Sequence, residues 1–167
     1  MTVPPRRACA SSQQAEIMIR KALVSDIPII GKIINKQAET GAMLQRPLSI
    51  LYENVRDYSV IELNGEIIGC GAFHVIWSDL AEICSVTVVE DFRRRGYGRA
   101  LVETLMEEAE MLHIERIFIL TYQVDFFRSL GFSEIDKSKL PHKIWRDCLN
   151  CVHFPDCDEV SMIRIVA

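Results

Sequence analysis

The sequence predicts an α/β fold built on a mixed, mostly antiparallel sheet, and three observations lead to this class. Two apolar segments, 58–63 and 66–76, are joined by an Asn-Gly pair, which is the strongest short-range signal for a β-hairpin. Residues 81–89 resemble a third strand, and a basic loop with two glycines and an amphipathic helix follow it. Residues 116–121, RIFILT, read as a buried strand after that helix, so they should lie parallel to 81–89 through a right-handed crossover.

The N-terminal part of the chain predicts a tail, a strand and two helices. Residues 1–15 have no acidic residue and little apolar pattern, so we interpret them as a loose tail. They contain two arginines and two serines, which leaves a transit peptide open, but they lack the apolar core of a secretory signal. Residues 16–22 predict the first strand. A first helix should begin with Ser25 as its N-cap, run to about Glu39 and end before Gly41. A second helix is expected over about 48–54.

The C-terminal part predicts shorter elements. A short helix over 124–130 should end at Gly131, a strand is expected over 132–135, and a last strand over 160–166. Residues 139–150 are expected to be partly helical. The sequence shows no internal repeat and no linker, so we expect residues 16–167 to form a single domain.

Composition excludes several classes of function. A chain of 167 residues with 49% hydrophobic and 25% charged residues is ordinary for one soluble globular domain. A net charge of −4 argues against general nucleic-acid binding. No apolar run approaches the roughly 20 residues that a membrane-spanning helix needs. A soluble, cytoplasmic protein is therefore the expectation.

The six cysteines leave one metal hypothesis open. Without a secretory signal, disulfides are not expected. Cys148, Cys151 and Cys157 form a C-x2-C-x5-C pattern, with His153 between them and His142 upstream. That spacing allows a structural zinc site, but no second C-x-x-C pair supplies a fourth ligand. We therefore favour reduced thiols and no metal.

The basic loop predicts a phosphate-binding site. A helix N-terminus has unpaired N–H groups and partial positive charge, and glycines let the backbone approach an anion closely. Gly96 and Gly98 lie at that point of the chain. The loop also contains four arginines: Arg93, Arg94, Arg95 and Arg99.

At these residues the sequence resembles a known superfamily. Arg93-x-x-Gly96-x-Gly98 after a strand is similar to the acetyl-coenzyme A loop of the GNAT (GCN5-related N-acetyltransferase) superfamily, and residues 126–132, FFRSLGF, resemble its F-[YF]-x-x-x-G-F segment. The resemblance implies a GNAT fold, with helices on both faces of the sheet and central strands that splay apart around the pantetheine arm. It also implies acetyl-coenzyme A as co-substrate. The predicted coenzyme-binding residues are Val86, Thr87, Val88, Arg93, Arg94, Arg95, Gly96, Tyr97, Gly98, Arg99 and Phe127.

Acetyl transfer to an amine needs a base, an oxyanion donor and a proton for the leaving thiolate. Glu82 is an acid in an otherwise apolar strand, so burial should raise its pKa toward that of a useful base. A main-chain amide of the central strand, that of Val86, is the expected oxyanion donor. The usual tyrosine acid is replaced by Phe127, so Tyr122 is the alternative, with water equally open. Cys84 is a rival nucleophile, but the sequence assigns it no activating partner.

The acceptor is suggested by a narrower resemblance, to the short single-domain N-acetylglutamate synthases. Glu82 matches the base of their A-E-[IL] segment, and residues 44–47, LQRP, resemble their L-x-R element beside the substrate. The implied acceptor is L-glutamate, which would be acetylated in the first step of arginine biosynthesis. A site for two carboxylates needs cations, and Arg side chains suit them. The predicted substrate-binding residues are Leu44, Arg46, Ser85, Lys143 and Arg146.

Two rival functions remain open at this point. One is a GNAT acetyltransferase for another amine, such as another amino acid, a polyamine or a protein N-terminus. The other is a non-catalytic sensor of coenzyme A or a partner-binding module. A homodimer is possible.

Overall fold

The protein, seen in a computed structural model that describes residues 16–141, 148, 151 and 155–166, contains a seven-stranded sheet. The strand order is β1-β2-β3-β4-β5-β7-β6, and every neighbouring pair is antiparallel except β4 and β5. The predicted fold class is therefore confirmed, while the tail at 1–15 lies outside the described residues. The strands are β1 Ile17–Lys21, β2 Tyr58–Leu63, β3 Glu66–Trp77, β4 Leu80–Val88, β5 Arg116–Thr121, β6 Ser133–Glu134 and β7 Val160–Ile165.

Four α-helices of the described residues cover the two faces of this sheet. Side chains alternate between the faces of a strand, so neighbouring strand residues belong to different cores. One core joins α1 and α2 to the sheet and contains Val60, Cys70 and Ala72. The other joins α3 and α4 to the sheet and contains Ile61, Ile68 and Phe73. The helices are α1 Ile27–Ala38, α2 Leu48–Glu53, α3 Tyr97–Met111 and α4 Val124–Arg128.

Most predicted boundaries agree with the structure to within two residues, and the predicted hairpin turn is present. Asn64 and Gly65 both have positive φ, 51° and 83°, as an Asn-Gly hairpin requires. The helix predicted over 124–130 is shorter, and the strand predicted over 132–135 contains two residues. The helix expected within 139–150 lies largely outside the described residues.

The prediction that Ser25 caps the first helix is wrong. A short 3₁₀ turn precedes α1, and the carboxylate of Asp26 accepts a hydrogen bond from the Leu23 N–H at 2.7 Å. Asp26 also pairs with Arg20 at 2.7 Å. The hydrogen bond from Arg20 lowers the pKa of the Asp26 carboxyl against the opposing effect of burial. The helix entry is thus fixed by a buried, paired carboxylate rather than by a serine hydroxyl.

A β-bulge lies in the middle of β4. Cys70 of β3 faces Thr87, while Ala72 faces Cys84, so β4 contains one more residue than β3 over this interval. Ser85 within the bulge has a φ of 54°, in the left-handed region that non-glycine residues seldom adopt. The backbone is therefore strained at the centre of the sheet.

The two parallel central strands separate soon after they pair. β4 and β5 are in register only at Leu80–Arg116, Ala81–Ile117 and Glu82–Phe118. Beyond this point β4 remains paired with β3, and β5 remains paired with β7. The splay implied by the resemblance is confirmed, and it opens a gap in the sheet at Glu82.

Candidate functional site

A cavity of about 760 Å³ lies in the gap between the diverging halves of β4 and β5. The loop before α3 lines one part of it, and the segment between α1 and α2 lines another. Arg95 does not line it, and Lys143 and Arg146 lie outside the described residues. All the other predicted site residues line this cavity: Leu44, Arg46, Glu82, Ser85, Val86, Thr87, Val88, Arg93, Arg94, Gly96, Tyr97, Gly98, Arg99, Tyr122 and Phe127.

The loop before α3 has the backbone geometry of an anion site. Gly96 precedes the helix with a φ of 85°, and Arg94 also has a positive φ of 59°. An added Cβ at Gly96 would meet no heavy atom within 4 Å, and one at Gly98 would meet only ordinary contacts of 3.7 Å or more. The backbone at both glycines is therefore open to an approaching group, and the N-terminus of a 15-residue helix faces the same cavity.

The arginines of the loop differ in what they contact. The Arg93 guanidinium donates from Nε to the Val88 carbonyl at 2.8 Å and from Nη2 to Gln37 Oε1 at 2.5 Å. Arg93 thus fastens the loop to β4 and to α1. Arg95 does not line the cavity; it donates to the Asp91 carbonyl at 3.0 Å, and its guanidinium lies 5.6 Å from the ring centre of Phe92.

Two arginines are better placed than Arg95 for an anion in the cavity. Arg94 lines the cavity on the strained part of the loop. Arg99, on the first turn of α3, also lines it and donates to Ser129 Oγ at 2.8 Å. A cation at each of these positions supplements the helix N-terminus.

Glu82 is the last residue of the β4–β5 ladder. It faces Phe118 on β5 and His74 on β3, and it is half-buried in the cavity wall. The structure thus places the carboxylate in the interior of the strand, at the point where the sheet opens.

The bulge brings backbone strain to the same wall. Ser85 and Val86 occupy the interval where the β3–β4 register is interrupted, and both line the cavity. Strained backbone persists where the surrounding structure imposes it, and it concentrates at functional sites. The assignment of the Val86 amide as oxyanion donor stays a prediction.

Tyr122 is engaged with an acidic partner. Its hydroxyl donates to Asp158 Oδ1 at 2.6 Å, and the side chain is 39% exposed. That hydrogen bond, together with desolvation, raises the pKa of Tyr122 above its usual value. A proton shared with a carboxylate is harder to give away, so Tyr122 serves as an acid only if this bond is first exchanged. Phe127 is 6% exposed and packs edge to face against Phe126 and Phe132.

The segment with Leu44 and Arg46 is held by a residue that the sequence did not single out. Asn35, on α1, donates from Nδ2 to the Arg46 carbonyl at 3.1 Å and accepts from the Arg46 N–H at 2.9 Å. This two-point hydrogen bond fixes the backbone at Arg46. Gln37, two residues later, accepts a hydrogen bond from Arg93. The end of α1 therefore contacts both the Arg46 segment and the loop before α3.

The sequence also did not predict an ion pair between His74, which is opposite Glu82 on β3, and Asp57, in the turn before β2. His74 Nδ1 is 2.5 Å from Asp57 Oδ2, and the two side chains are 20% and 35% exposed. Burial works to lower the pKa of His74, but hydrogen bonds to Asp57 and Cys84 outweigh it and raise the pKa to about 10. A single histidine in an apolar strand and an aspartate 17 residues away carry no motif, so only the fold reveals this pair.

The three C-terminal cysteines line the cavity but form no metal site with other described residues. Cys148, Cys151 and Cys157 are free thiols in its wall. Within the described part of the chain, no group of three or more metal-ligating side chains is arranged to hold an ion. His142 and His153 lie outside that part, so the zinc hypothesis is not tested by them. No helix among the described residues is long and apolar enough to cross a membrane.

Comparison with known proteins gives one consistent result. Residues 34–132 match the family model described as the Acetyltransferase (GNAT) family. An uncharacterised N-acetyltransferase of Chlorobaculum tepidum is 38% identical over 150 residues, which cover 90% of this chain and 97% of that protein. The amino-acid acetyltransferase of Mycobacterium tuberculosis is 37% identical over 131 residues, or 77% of this chain and 75% of the other.

A solved structure shows the same fold with ligands bound. The N-acetylglutamate synthase of Neisseria gonorrhoeae, crystallised with coenzyme A and N-acetyl-glutamate, has a TM-score of 0.83 against this chain at 25% identity. The match covers 93% of this chain and 36% of the gonococcal chain. With the splayed sheet and the extent of these matches together, the chain belongs to the GNAT family of acetyltransferases.

Proposed function

We propose that this enzyme transfers acetyl from acetyl-coenzyme A to the α-amino group of L-glutamate and forms N-acetylglutamate. The observation that carries the proposal is the position of Glu82, where the central strands part. The loop before α3, which we propose binds phosphate, lines one part of the same cavity, and the segment with Arg46 lines another part. Relatives named amino-acid acetyltransferase and N-acetylglutamate synthase support an amino acid as the acceptor.

The donor half of the cavity suits a long thioester with a diphosphate. Main-chain N–H groups around Gly96 and Gly98, with Arg94 and Arg99, would bind the diphosphate. The diverging residues of β4 leave room for the pantetheine arm along Thr87 and Val88. This arrangement would bring the thioester carbonyl to the bulge, where the Val86 amide is the proposed oxyanion donor.

The acceptor half supplies the base and a cation. A free amine is mostly protonated at neutral pH, so Glu82 would remove a proton before the nitrogen attacks the thioester carbon. The tetrahedral intermediate then collapses, the carbon–sulfur bond breaks, and the coenzyme leaves as a thiol after protonation by Tyr122 or water. Arg46 would bind a carboxylate of glutamate, and Ser85 and Leu44 would contact its chain. Lys143 and Arg146 remain proposed ligands for the second carboxylate.

The biological setting follows from the product. N-acetylglutamate would feed arginine biosynthesis, and we propose a cytoplasmic enzyme whose residues 16–167 fold as one domain, with a homodimer possible. The long relatives differ in size: this chain spans 29% of the amino-acid acetyltransferase of Pasteurella multocida, so the remainder of that protein has no counterpart in the match.

An acceptor panel tests the proposal. Coenzyme A release would be followed with acetyl-coenzyme A and, in turn, glutamate, aspartate, glutamine, a polyamine and a peptide N-terminus. We expect kcat/KM for glutamate to exceed the others by at least tenfold, with N-acetylglutamate identified as product. Equal rates for aspartate or glutamine would remove the glutamate assignment, and a preferred peptide or polyamine would establish a different acceptor class.

A further inference from the structure

Cys84 is the thiol that the sequence analysis left without an activating partner, and the structure supplies one. Cys84 lies two residues after Glu82 on β4, so the two side chains share one face of the strand. It is half-buried and lines the cavity, and Ser85 Oγ approaches its sulfur at 4.0 Å. It therefore lies between the proposed base and the proposed pantetheine segment.

The partner comes from β3 and the turn before β2. His74 is opposite Glu82, and Ala72 is opposite Cys84, so the imidazole is a diagonal neighbour of the thiol on the same face. Asp57 Oδ2 lies 2.5 Å from His74 Nδ1, and the interaction of His74 with Cys84 is one of the causes that raise the pKa of the imidazole. With its pKa raised to about 10, against the effect of burial, His74 is an imidazolium at neutral pH.

We propose that Cys84 is a second acyl acceptor in this enzyme. Its sulfur takes the acetyl group of acetyl-coenzyme A when no amine occupies the site, His74 protonates the leaving sulfur, and Asp57 holds the imidazole in place. The side chains follow one another in the order thiol, imidazole, carboxylate, which is the order that activates a thiol nucleophile.

The step is an exchange between two thioesters. Cys84 Sγ bonds to the acetyl carbonyl carbon, and the bond from that carbon to the coenzyme sulfur breaks. The Cys84 proton passes to solvent before the attack, the His74 imidazolium protonates the leaving sulfur, and His74 then recovers a proton from solvent. The net products are S-acetyl-Cys84 and coenzyme A as a free thiol. No oxidant or reductant takes part. The acetyl group then occupies the acceptor half of the cavity and excludes the amine until water or coenzyme A removes it.

The other described thiols are less suited. Cys70 is fully buried, burial raises its pKa to about 12, and it does not line the cavity. Burial also raises the pKa of Cys148, to about 11. Cys157 lines the cavity, and its sulfur lies 4.0 Å from the Glu159 carboxylate. Its hydrogen-bond partner among the described residues is this carboxylate rather than an imidazole, so Cys157 serves as a matched control.

The test uses the full-length, reduced protein and acetyl-coenzyme A with no amine. Intact mass and peptide mapping should show one acetyl group on Cys84, removable by hydroxylamine, together with slow coenzyme A release. Cys84→Ala should abolish both signals, and Cys157→Ala should keep both. His74→Gln should slow acylation at least tenfold, and Asp57→Asn should slow it less. Circular dichroism and coenzyme A titration show whether each variant folds and binds.

Several results would overturn the proposal. These are a coenzyme-binding wild type with neither adduct nor release, an adduct that persists in Cys84→Ala, or a His74→Gln variant acylated as fast as the wild type. The inference rests on the proposed donor but not on glutamate. A protein that acetylates glutamate without any Cys84 adduct loses only this inference, and one that forms the adduct without using glutamate loses only the acceptor assignment.

Discussion

At the scale of single residues, charged side chains lie close to the opening between β4 and β5. Glu82 is half-buried at the last paired position of β4 and β5, while the imidazole of His74 faces it from β3. Arg46 lines the same cavity from the segment after α1. A carboxylate and a guanidinium thus line the place where we propose that the amine loses its proton and that its carboxylates bind.

Replacing the proposed base gives the first residue-scale prediction. Glu82→Gln keeps the side-chain shape but removes the proton acceptor, so we expect kcat to fall by about 10²–10³-fold. Coenzyme A affinity, measured by calorimetry, should stay within about twofold. Glu107→Gln changes an exposed carboxylate on α3 and should leave both quantities unaltered. Near-full turnover in Glu82→Gln would remove this residue from the mechanism.

The His74–Asp57 pair makes a pH-dependent contribution to stability. The pKa of His74 is about 10 in the folded protein and ordinarily 6.5, so the folded state holds the proton more tightly. The stabilisation is therefore complete below about pH 6.5 and is lost as the pH rises toward 10. We expect Asp57→Asn to lower the free energy of unfolding by about 1 kcal/mol at pH 6, a modest value because the carboxylate is partly exposed.

Asp57→Asn should lower the free energy of unfolding by much less near pH 10, where His74 is losing its proton. Denaturant unfolding of wild type and variant at both pH values measures the difference. His74→Gln should remove the pH-dependent part in the same way. A destabilisation that is equal at the two pH values would show that the pair is not charged in the folded protein.

At the scale of elements, α1 connects the two halves of the site. Asn35 holds the backbone of Arg46, and Gln37 accepts a hydrogen bond from Arg93 of the loop before α3. The helix itself is fixed by its buried face, which includes Ile27, Ile30 and Ile34. The helix therefore positions two segments that line the cavity.

Asn35 is expected to act as a positioning residue for the acceptor. Asn35→Ala removes both hydrogen bonds to the Arg46 backbone, so we expect the KM for glutamate to rise about fivefold to tenfold, as losing about 1 kcal/mol or slightly more implies. The KM for acetyl-coenzyme A should stay within twofold. Asn35→Asp, which keeps the acceptor but loses the donor, should lie between. Lys36→Ala, exposed on the same helix, is the control, and a parallel rise in both KM values would argue for general damage instead.

The two loop glycines separate backbone strain from ligand approach. Gly96→Ala places a Cβ in open space but at a φ of 85°, so stability should fall by about 1 kcal/mol. Gly98→Ala has no such φ and meets only ordinary contacts, the nearest being Phe126 at 3.7 Å, so the fold should be as stable as wild type or slightly more so.

Coenzyme binding should respond differently from stability at Gly98. An added methyl group there limits the approach of a diphosphate to the backbone, and we expect coenzyme A affinity to fall about tenfold in Gly98→Ala without any loss of thermal stability. Thermal melts and calorimetry measure the two effects separately. Wild-type affinity in that variant would contradict the proposed anion site.

At the scale of the whole molecule, sequence reasoning succeeded where the information is local. The hairpin at Asn64 and Gly65, the strand before the basic loop and the helix after it depend on turn chemistry and side-chain periodicity. It did not reach contacts between distant segments. Three features depend on tertiary packing: the hydrogen bonds between Asn35 and Arg46, the His74–Asp57 ion pair, and the bond from Arg95 to the Asp91 carbonyl. The prediction that Ser25 caps the first helix was wrong for the same reason, because the entry to that helix depends on the ion pair between Asp26 and Arg20 of β1.

The site follows the same division. Residues in the strand–loop–helix unit were predictable, because one continuous segment supplies the part of the cavity wall that we propose binds the coenzyme. The part that we propose binds the acceptor includes the end of α1 and the segment after it, which are distant in sequence from that unit. Leu44 and Arg46 in this part were predicted through a resemblance.

The most direct test of the central claim, that one cavity binds acetyl-coenzyme A and an acidic amino acid together, is a steady-state comparison of Arg46→Ala with wild type. A charged hydrogen bond to the acceptor carboxylate is worth about 2 kcal/mol, so the KM for glutamate should rise roughly thirtyfold. The KM for acetyl-coenzyme A should remain within twofold, and Arg46→Lys should recover part of the loss. An unchanged glutamate KM, or an equal rise for both substrates, would contradict the account.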